Sequence, residues 1–222
     1  MTYITAIMKL HTLYFEPPLE DNYFGHQIKE IYYDKTYAPL FENKKIETII
    51  DIGASGVTPY YFSQHASKVY AIEPSKNHYE ALLKMIEVNE MTNVTPINKA
   101  IYVENKTFPL FQNKNKTMKS LHMAIDDKSG EPEMVEAITL PKLFEDNNIE
   151  HVDIMKIDME GSEFEVISHS TFSKVADKID VVVGETHTWA NRNENQMKDA
   201  LESRGFKFEW LNSEAKLFIA RK

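Results

Sequence analysis

The 222-residue sequence contains no cysteine. That absence excludes disulfides, thiolate nucleophiles and thiolate metal sites, and leaves the redox compartment unmarked. Long apolar runs are missing as well. No stretch approaches the roughly 18 residues of a membrane helix, and the apolar core of MTYITAIMKLHTLYFEPPLED is too short for a signal peptide. These absences predict a soluble, cytoplasmic protein with no membrane insertion. Positive charge is in deficit, with 25 Lys and Arg against 34 Asp and Glu, a net charge of -9. A phosphate backbone is repelled on average by such a surface, which disfavours nucleic acid as a partner.

Glycine is scarce, at seven residues, so its placement is informative. Gly53 and Gly56 follow one apolar run, Gly161 follows another, and Gly184 lies near the end of a third. Four of the seven therefore fall where strands approach their carboxyl ends, the side on which an open α/β sheet binds its ligand. The dinucleotide spacing GxGxxG is absent, because Ser55 and Thr58 stand where its second and third glycines belong. The phosphate-loop signature is absent too.

From residue 46 onward, short β-branched runs alternate with longer helical patterns. IETIID (46–51) and KVYAIEP (68–74) read as strands buried on both faces of a parallel sheet. Thr58 to Ala66 supplies the crossover, and Ser75 starts a helix through about Glu90. VTPINKAIY (94–102) reads as a third strand, placed at an edge by Pro96. HVDIMKID (151–158) and IDVVVGETH (179–187) are further strands around a helix at about 161–169. Residues 103–140 are less regular and predict short antiparallel strands or a long loop. FKFEW (206–210) and KLFIARK (216–222) predict an antiparallel hairpin closing a mostly parallel sheet. Two units follow: a helical, aromatic-rich segment over 1–45 and a ligand-binding domain over 46–222. The first holds nine of the 25 aromatic residues, and either caps the site against a flat substrate face or packs on the domain through those rings.

Asp51 puts a fixed negative charge beside Gly53, which suits a ligand carrying an amine or a sulfonium and disfavours a pyrophosphate. Glu73 ends the second strand, 20 residues after Gly53, where a carboxylate can accept both hydroxyl hydrogens of a ribose. A ribose without phosphate, together with an amine, describes S-adenosylmethionine.

The segments DIGASG (51–56), AIEPS (71–75), INKAI (97–101), VDIMKIDMEGSEFEVI (152–167) and GETH (184–187) resemble the class I S-adenosylmethionine-dependent methyltransferases of the FkbM type. KIDMEGSE (156–163) is the most specific of them, and the resemblance covers about 46–188. It implies a Rossmann-like fold, with a mostly parallel seven-stranded sheet, a C-terminal antiparallel hairpin and helices on both faces. It implies that Asp51, Gly53, Ala54, Ser55 and Gly56 lie along the methionine part of the cofactor. By the same likeness Glu73 holds the ribose, and Asn98 and Ala100 meet the adenine. The acceptor it implies is a hydroxyl of a small molecule or glycan; transfer to nitrogen or to an RNA base, and a non-catalytic cofactor-binding module, are the competing readings.

Methyl transfer to a hydroxyl needs positioning and a base near the ends of the fourth or fifth strand. Asp158 and His187 are the leading candidates for base or acceptor orientation, followed by Glu160 and Glu185. Glu163 and Glu165 read as first-turn carboxylates favoured by a helix dipole. Asp158, Glu160, Glu185 and His187 have donor types that suit magnesium or manganese, although their spacing does not demand a metal and none is expected. Lys156 interrupts an apolar strand, so it either pairs with the carboxylates Asp51, Asp158 and Glu185 or serves as a base.

Overall fold

The computed structural model describes residues 27–42, 44–54, 57–112, 119–120, 131–187, 193–212 and 216–222. Its main sheet begins with β1 (Ile46–Ile52), β2 (Ala66–Ile72) and β3 (Val94–Ile97) and continues with β8 (Val152–Ile157) and β9 (Ile179–Glu185). The hairpin β10 (Lys207–Asn212) and β11 (Leu217–Arg221) completes it, in the order β10-β11-β9-β8-β1-β2-β3. The five strands from β9 to β3 are parallel, and β11 runs antiparallel to both β9 and β10. Strand order reverses between β1 and β8, which places a crevice at the carboxyl ends of those two strands.

Why the central strands read as unbroken apolar runs is visible in their burial. All six residues of β8 are buried, because helices cover both sheet faces. One face carries Ile50, Met155 and Val182 under α3 (Leu140–Asp146), α4 (Glu163–Ser168), α5 (Ser170–Ser173) and α6 (Glu194–Glu202). The other carries Ile49, Ile154 and Val183 under α1 (Thr58–Ser63) and α2 (Lys76–Val88). Successive side chains alternate between the faces. Asp51, Lys156 and Glu185 therefore share the second face with Ile49, Ile154 and Val183.

Residues 27–42 also pack on that second face. A π-helical turn (Lys29–Tyr33) and a 3-10 turn (Ala38–Leu40) bring Ile31, Tyr37 and Leu40 into its core. Tyr37 meets Phe62 edge-on with ring centroids 5.5 Å apart, and Tyr32 meets Tyr61 at 5.4 Å. Tyr14, Phe15, Tyr23 and Phe24 lie outside the described residues.

The stretch 94–102 differs from the single strand expected. Its first part is β3, at the sheet edge, where Pro96 removes no ladder bond that a further strand would need. Its second part, β4 (Ala100–Ile101), joins a separate four-stranded sheet with β5 (Lys106–Gln112), β6 (Lys119–Ser120) and β7 (Glu133–Ile138), in the order β4-β7-β5-β6. Asn98 sits at the break, and its amide donates to the carbonyls of Glu73 and Pro74 at 2.9 and 3.1 Å. That side chain does in the turn what a ladder bond would have done in a strand. Antiparallel pairing of β5 with both β6 and β7 accounts for the irregular 103–140 region.

Candidate active site

The turn after β1 is forced by its neighbours. Gly53 adopts φ 76, and the N–H groups of Gly53 and Ala54 both donate to the Ile72 carbonyl at 3.0 Å. A β-carbon on Gly53 would lie 1.8 Å from the Asp158 carbonyl oxygen. Glycine is required here because β1 and β8 approach one another through bare backbone.

Beside that turn, the Lys156 ammonium donates to the Gly53 carbonyl at 3.1 Å and lies 3.4 Å from both Asp51 Oδ1 and Asp158 Oδ2. Asp51 is fully buried, and its Oδ2 accepts from the Thr58 hydroxyl at 2.8 Å. Burial pushes the Asp51 carboxyl above its ordinary value, and the Lys156 charge opposes that shift. The register explains the pairing: Asp51 on β1 is directly opposite Lys156 on β8, although the two are far apart in sequence. Lys156 is thus ion-paired with Asp51 and Asp158.

A second group forms at the ends of β8 and β9. His187 Nδ1 contacts Glu163 Oε1, while Nε2 lies 3.5 Å from Glu160, 3.6 Å from Glu185 and 3.9 Å from Asp158. Glu163 is fully buried, and its other oxygen accepts from the Gly161 N–H at 2.6 Å. Glu160 stands at φ 52 and Gly161 at φ 106, a sharp reversal that a side chain such as glutamate rarely adopts. Such strain is characteristic of sites where a group must be aimed rather than merely accommodated.

Charge follows from these contacts. Burial acts against the His187 imidazolium, but the bond to Glu163 and the charges of Glu163, Asp158 and Glu160 outweigh it and raise the pKa to about 10. Burial raises Glu160 to about 7 against the pull of His187, with Asp158 adding repulsion. Burial and then Asp158 raise Glu185 to about 7.

These shifts predict a pH dependence of folding. The folded protein keeps the His187 proton up to about 10, whereas the ordinary value is 6.5, so the folded state binds the extra proton between those limits. Its contribution is fully present below about pH 6.5 and is lost as pH rises through 10. Urea unfolding at pH 7 and pH 9 should show a loss on the order of 2 kcal/mol that is absent in His187→Gln. An equal loss in both proteins would assign the dependence to other groups.

A cleft of about 160 Å³ opens against these residues. Lys156, Asp158, Glu160 and Glu185 line it from β8, β9 and the turn after β8, Thr58 from the start of α1, and Gln27, Glu30, Ile31 and Tyr37 from the N-terminal segment. Gln27 Oε1 accepts from the Val57 N–H at 3.1 Å, tying those turns to the loop after β1.

The remaining expected residues stand apart from the cleft lining. Glu73 is 4% exposed after β2, and its Oε1 accepts from the Ser75 N–H at 2.8 Å. Asn98 braces the same turn. Ala100 is buried in the small sheet among Leu110, Val135 and Ala137. Ala54 is fully buried, and Ser55 and Gly56 lie outside the described residues. Thr58, Glu163 and Glu30 enter the site without having been expected there, and Tyr37 is a ring of the aromatic-rich 1–45 segment that lines the cleft. For Glu163 a signal existed, since it lies within KIDMEGSE, but its first-turn position has a sufficient electrostatic explanation of its own.

Among the described residues, metal-compatible spacing occurs in two places. Ligand atoms of Asp158, Glu185 and His187 lie within 4.8 Å of one another, as do those of His151, Asp153 and Asp180. The second group sits at the amino ends of the strands, where Lys44 pairs with Asp153 and Asp180 at 3.5 and 3.0 Å. Among the described residues no helix is long and apolar enough to cross a membrane.

Comparison with known proteins bears on the fold and the family. A methyltransferase FkbM from Methylobacillus flagellatus superposes with a TM-score of 0.57 at 12% identity, over 99% of this chain and 58% of that one. This chain thus spans less than two thirds of that relative's length. A precorrin-6y C5,15-methyltransferase from Geobacter metallireducens gives 0.49 at 13% identity, over 85% and 87% of the two chains. A SAM-dependent methyltransferase from Aquifex aeolicus gives 0.49 at 12%, over 96% of each. No curated protein sequence matches the chain. The methyltransferase FkbM domain matches residues 51–208, the span that contains the β1 turn, Lys156 and the His187 group; the chain belongs to the FkbM methyltransferase family.

Proposed function

We propose that the protein transfers the methyl group of S-adenosylmethionine to a hydroxyl oxygen of a small molecule or glycan. The observation that carries this reading is the gathering of Asp158, Glu160, Glu185 and His187 at the carboxyl ends of β8 and β9, beside the Asp51–Gly53 turn at the point where strand order reverses. When bound, the cofactor supplies a methyl carbon activated by its sulfonium. Excess carboxylate in the cleft favours that positive charge without a metal.

The residues take separate roles in this scheme. Asp51 and the 53–56 turn hold the methionine end, Glu73 holds the ribose, and Asn98 and Ala100 mark the adenine side. Lys156 keeps Asp51 and Asp158 apart from one another and in place. Glu185 accepts the acceptor's proton: its pKa of about 7 matches the working range of a general base, and Asp158 is the next candidate. His187, already protonated, orients these carboxylates rather than taking the proton itself.

Thermal unfolding with and without S-adenosylhomocysteine tests the cofactor site. At about 100 times its dissociation constant the ligand should stabilise the parent by about 2.7 kcal/mol, and Asp51→Ala and Glu73→Ala should abolish the gain. Binding followed by methyl release to hydroxyl acceptors supports O-methylation; release only to amines reassigns the acceptor atom; binding without release to any acceptor leaves a cofactor-binding module. No stabilisation of the parent removes the reading.

A further inference from the structure

Four residues that line the cleft, Gln27, Glu30, Ile31 and Tyr37, precede the 51–208 span shared with the family. One of them presents a buried polar atom with nothing to bond, and another sets a phenol beside the same cleft. Glu30 Oε1 is buried and has no hydrogen-bond partner. Tyr37 is 3% exposed and lines the same cleft. Burial raises the Tyr37 phenol well above its usual value, and the charges that act on it are Lys156, Glu30, Asp158 and Glu185. The phenol therefore faces the same cleft as the site carboxylates.

Both side chains are held in position. The turn that carries Glu30 is π-helical, closed by the Asp34 N–H on the Lys29 carbonyl at 2.8 Å, and the Glu30 carbonyl accepts from the Thr36 N–H at 3.1 Å. Single π turns occur often at functional sites. Ile31, 2% exposed, anchors the turn in the core, and Phe62 fixes the Tyr37 ring. A buried carboxylate oxygen left without a donor is costly. A ligand that brings a donor recovers that loss, and one without a donor does not.

We propose that Glu30 and Tyr37 form an acceptor subsite that reads a second hydrogen-bond donor, a hydroxyl or an ammonium, adjoining the hydroxyl to be methylated. The inference rests on the methyl-transfer reading above and adds a substrate class to it: vicinal diols and amino alcohols rather than isolated alcohols. Sites built to bond a polar group discriminate strongly against analogues that lack it.

Cyclohexanol, trans-1,2-cyclohexanediol and trans-2-aminocyclohexanol serve as probes, with binding to the S-adenosylhomocysteine complex measured by saturation-transfer NMR. In the parent, the diol or the amino alcohol should bind at least about tenfold more tightly than cyclohexanol. Whichever of the two binds tighter identifies the donor as hydroxyl or ammonium. Tyr37→Phe and Glu30→Gln should each shrink that preference while calorimetry shows cofactor-product affinity unchanged within about twofold. Equal binding of all three probes, binding of none, or an undiminished preference in both variants overturns the subsite. Loss of S-adenosylhomocysteine affinity in the variants also overturns it, since it places the two residues at the cofactor. A parent that fails to bind S-adenosylhomocysteine removes the methyl-transfer reading and the subsite with it.

Discussion

Replacing Lys156 by methionine is expected to destabilise the fold by about 3–5 kcal/mol, the usual range for breaking a buried ion pair by removing one partner. The side chain is 3% exposed and lies between Asp51, fully buried, and Asp158. Without the ammonium, two carboxylates share the space beside the Gly53 carbonyl. One must take up a proton, and the burial that already raises Asp51 makes it the group expected to do so. Methionine fills a similar volume, so packing is conserved and the loss reports charge. Asp51→Asn in the Lys156→Met background should recover part of the stability, because the uncompensated charge is gone. Additive losses in the double variant would sink the ion-pair account. S-adenosylhomocysteine binding should fall together with stability in Lys156→Met; full affinity with lost turnover would instead make Lys156 a base.

Gly53→Ala is expected to be nearly as damaging, by a different route. The residue stands at φ 76, and left-handed backbone alone costs an alanine about 1–2 kcal/mol. Its new β-carbon would sit 1.8 Å from the Asp158 carbonyl oxygen, so β1 and β8 must part or the Asp158 turn must move. Gly205 provides the control: it has φ 85, and a β-carbon there meets nothing within 4 Å. Urea unfolding of both variants therefore separates strain from collision. Gly205→Ala should show the backbone cost alone, and Gly53→Ala that cost plus the clash. Equal losses would mean that the strand ends yield freely. Displacement of Asp158 by about 1 Å should further lower turnover on the order of 100-fold, an effect that Gly205→Ala should lack.

Where local pattern carries the information, the sequence was sufficient. β-branched apolar runs located the five parallel strands, three of them marked by glycine near their ends, and Pro96 placed β3 at the edge. The FKFEW alternation was legible as a hairpin strand, and its Phe206 and Phe208 are buried and Trp210 partly so, with Phe208 stacked on Phe218 at 5.2 Å. The break at Asn98 was not legible. Residues 94–102 keep a strand-like composition throughout, while the turn depends on two carbonyls 24 and 25 positions earlier in the chain.

The site divides in the same way. Asp51, Asp158, Glu160, Glu185 and His187 were legible as candidates because each is a polar residue at or just after the end of an apolar run, and Lys156 because it interrupts one. Glu163 was not, since a carboxylate in the first turn of a helix has an ordinary explanation, and its contact with His187 spans 24 residues. Glu30 was hidden, and Tyr37 stood undistinguished among the rings of its segment, for a stronger reason. Nothing in the periodicity of an aromatic-rich segment says which ring or carboxylate will face a cleft formed by strand ends more than a hundred residues later.

The sequence by itself determined the element types, the glycine turn after β1, the carboxylate-rich strand ends and the family, because each is encoded by residues close together in the chain. Only the tertiary structure decided the partners: strand order set Asp51 opposite Lys156, parity put both on the face covered by residues 27–42, and burial together with charge pairing set the direction in which the site's carboxyls and imidazole shift. Those outcomes depend on distances and desolvation between segments remote in sequence, which no local pattern contains.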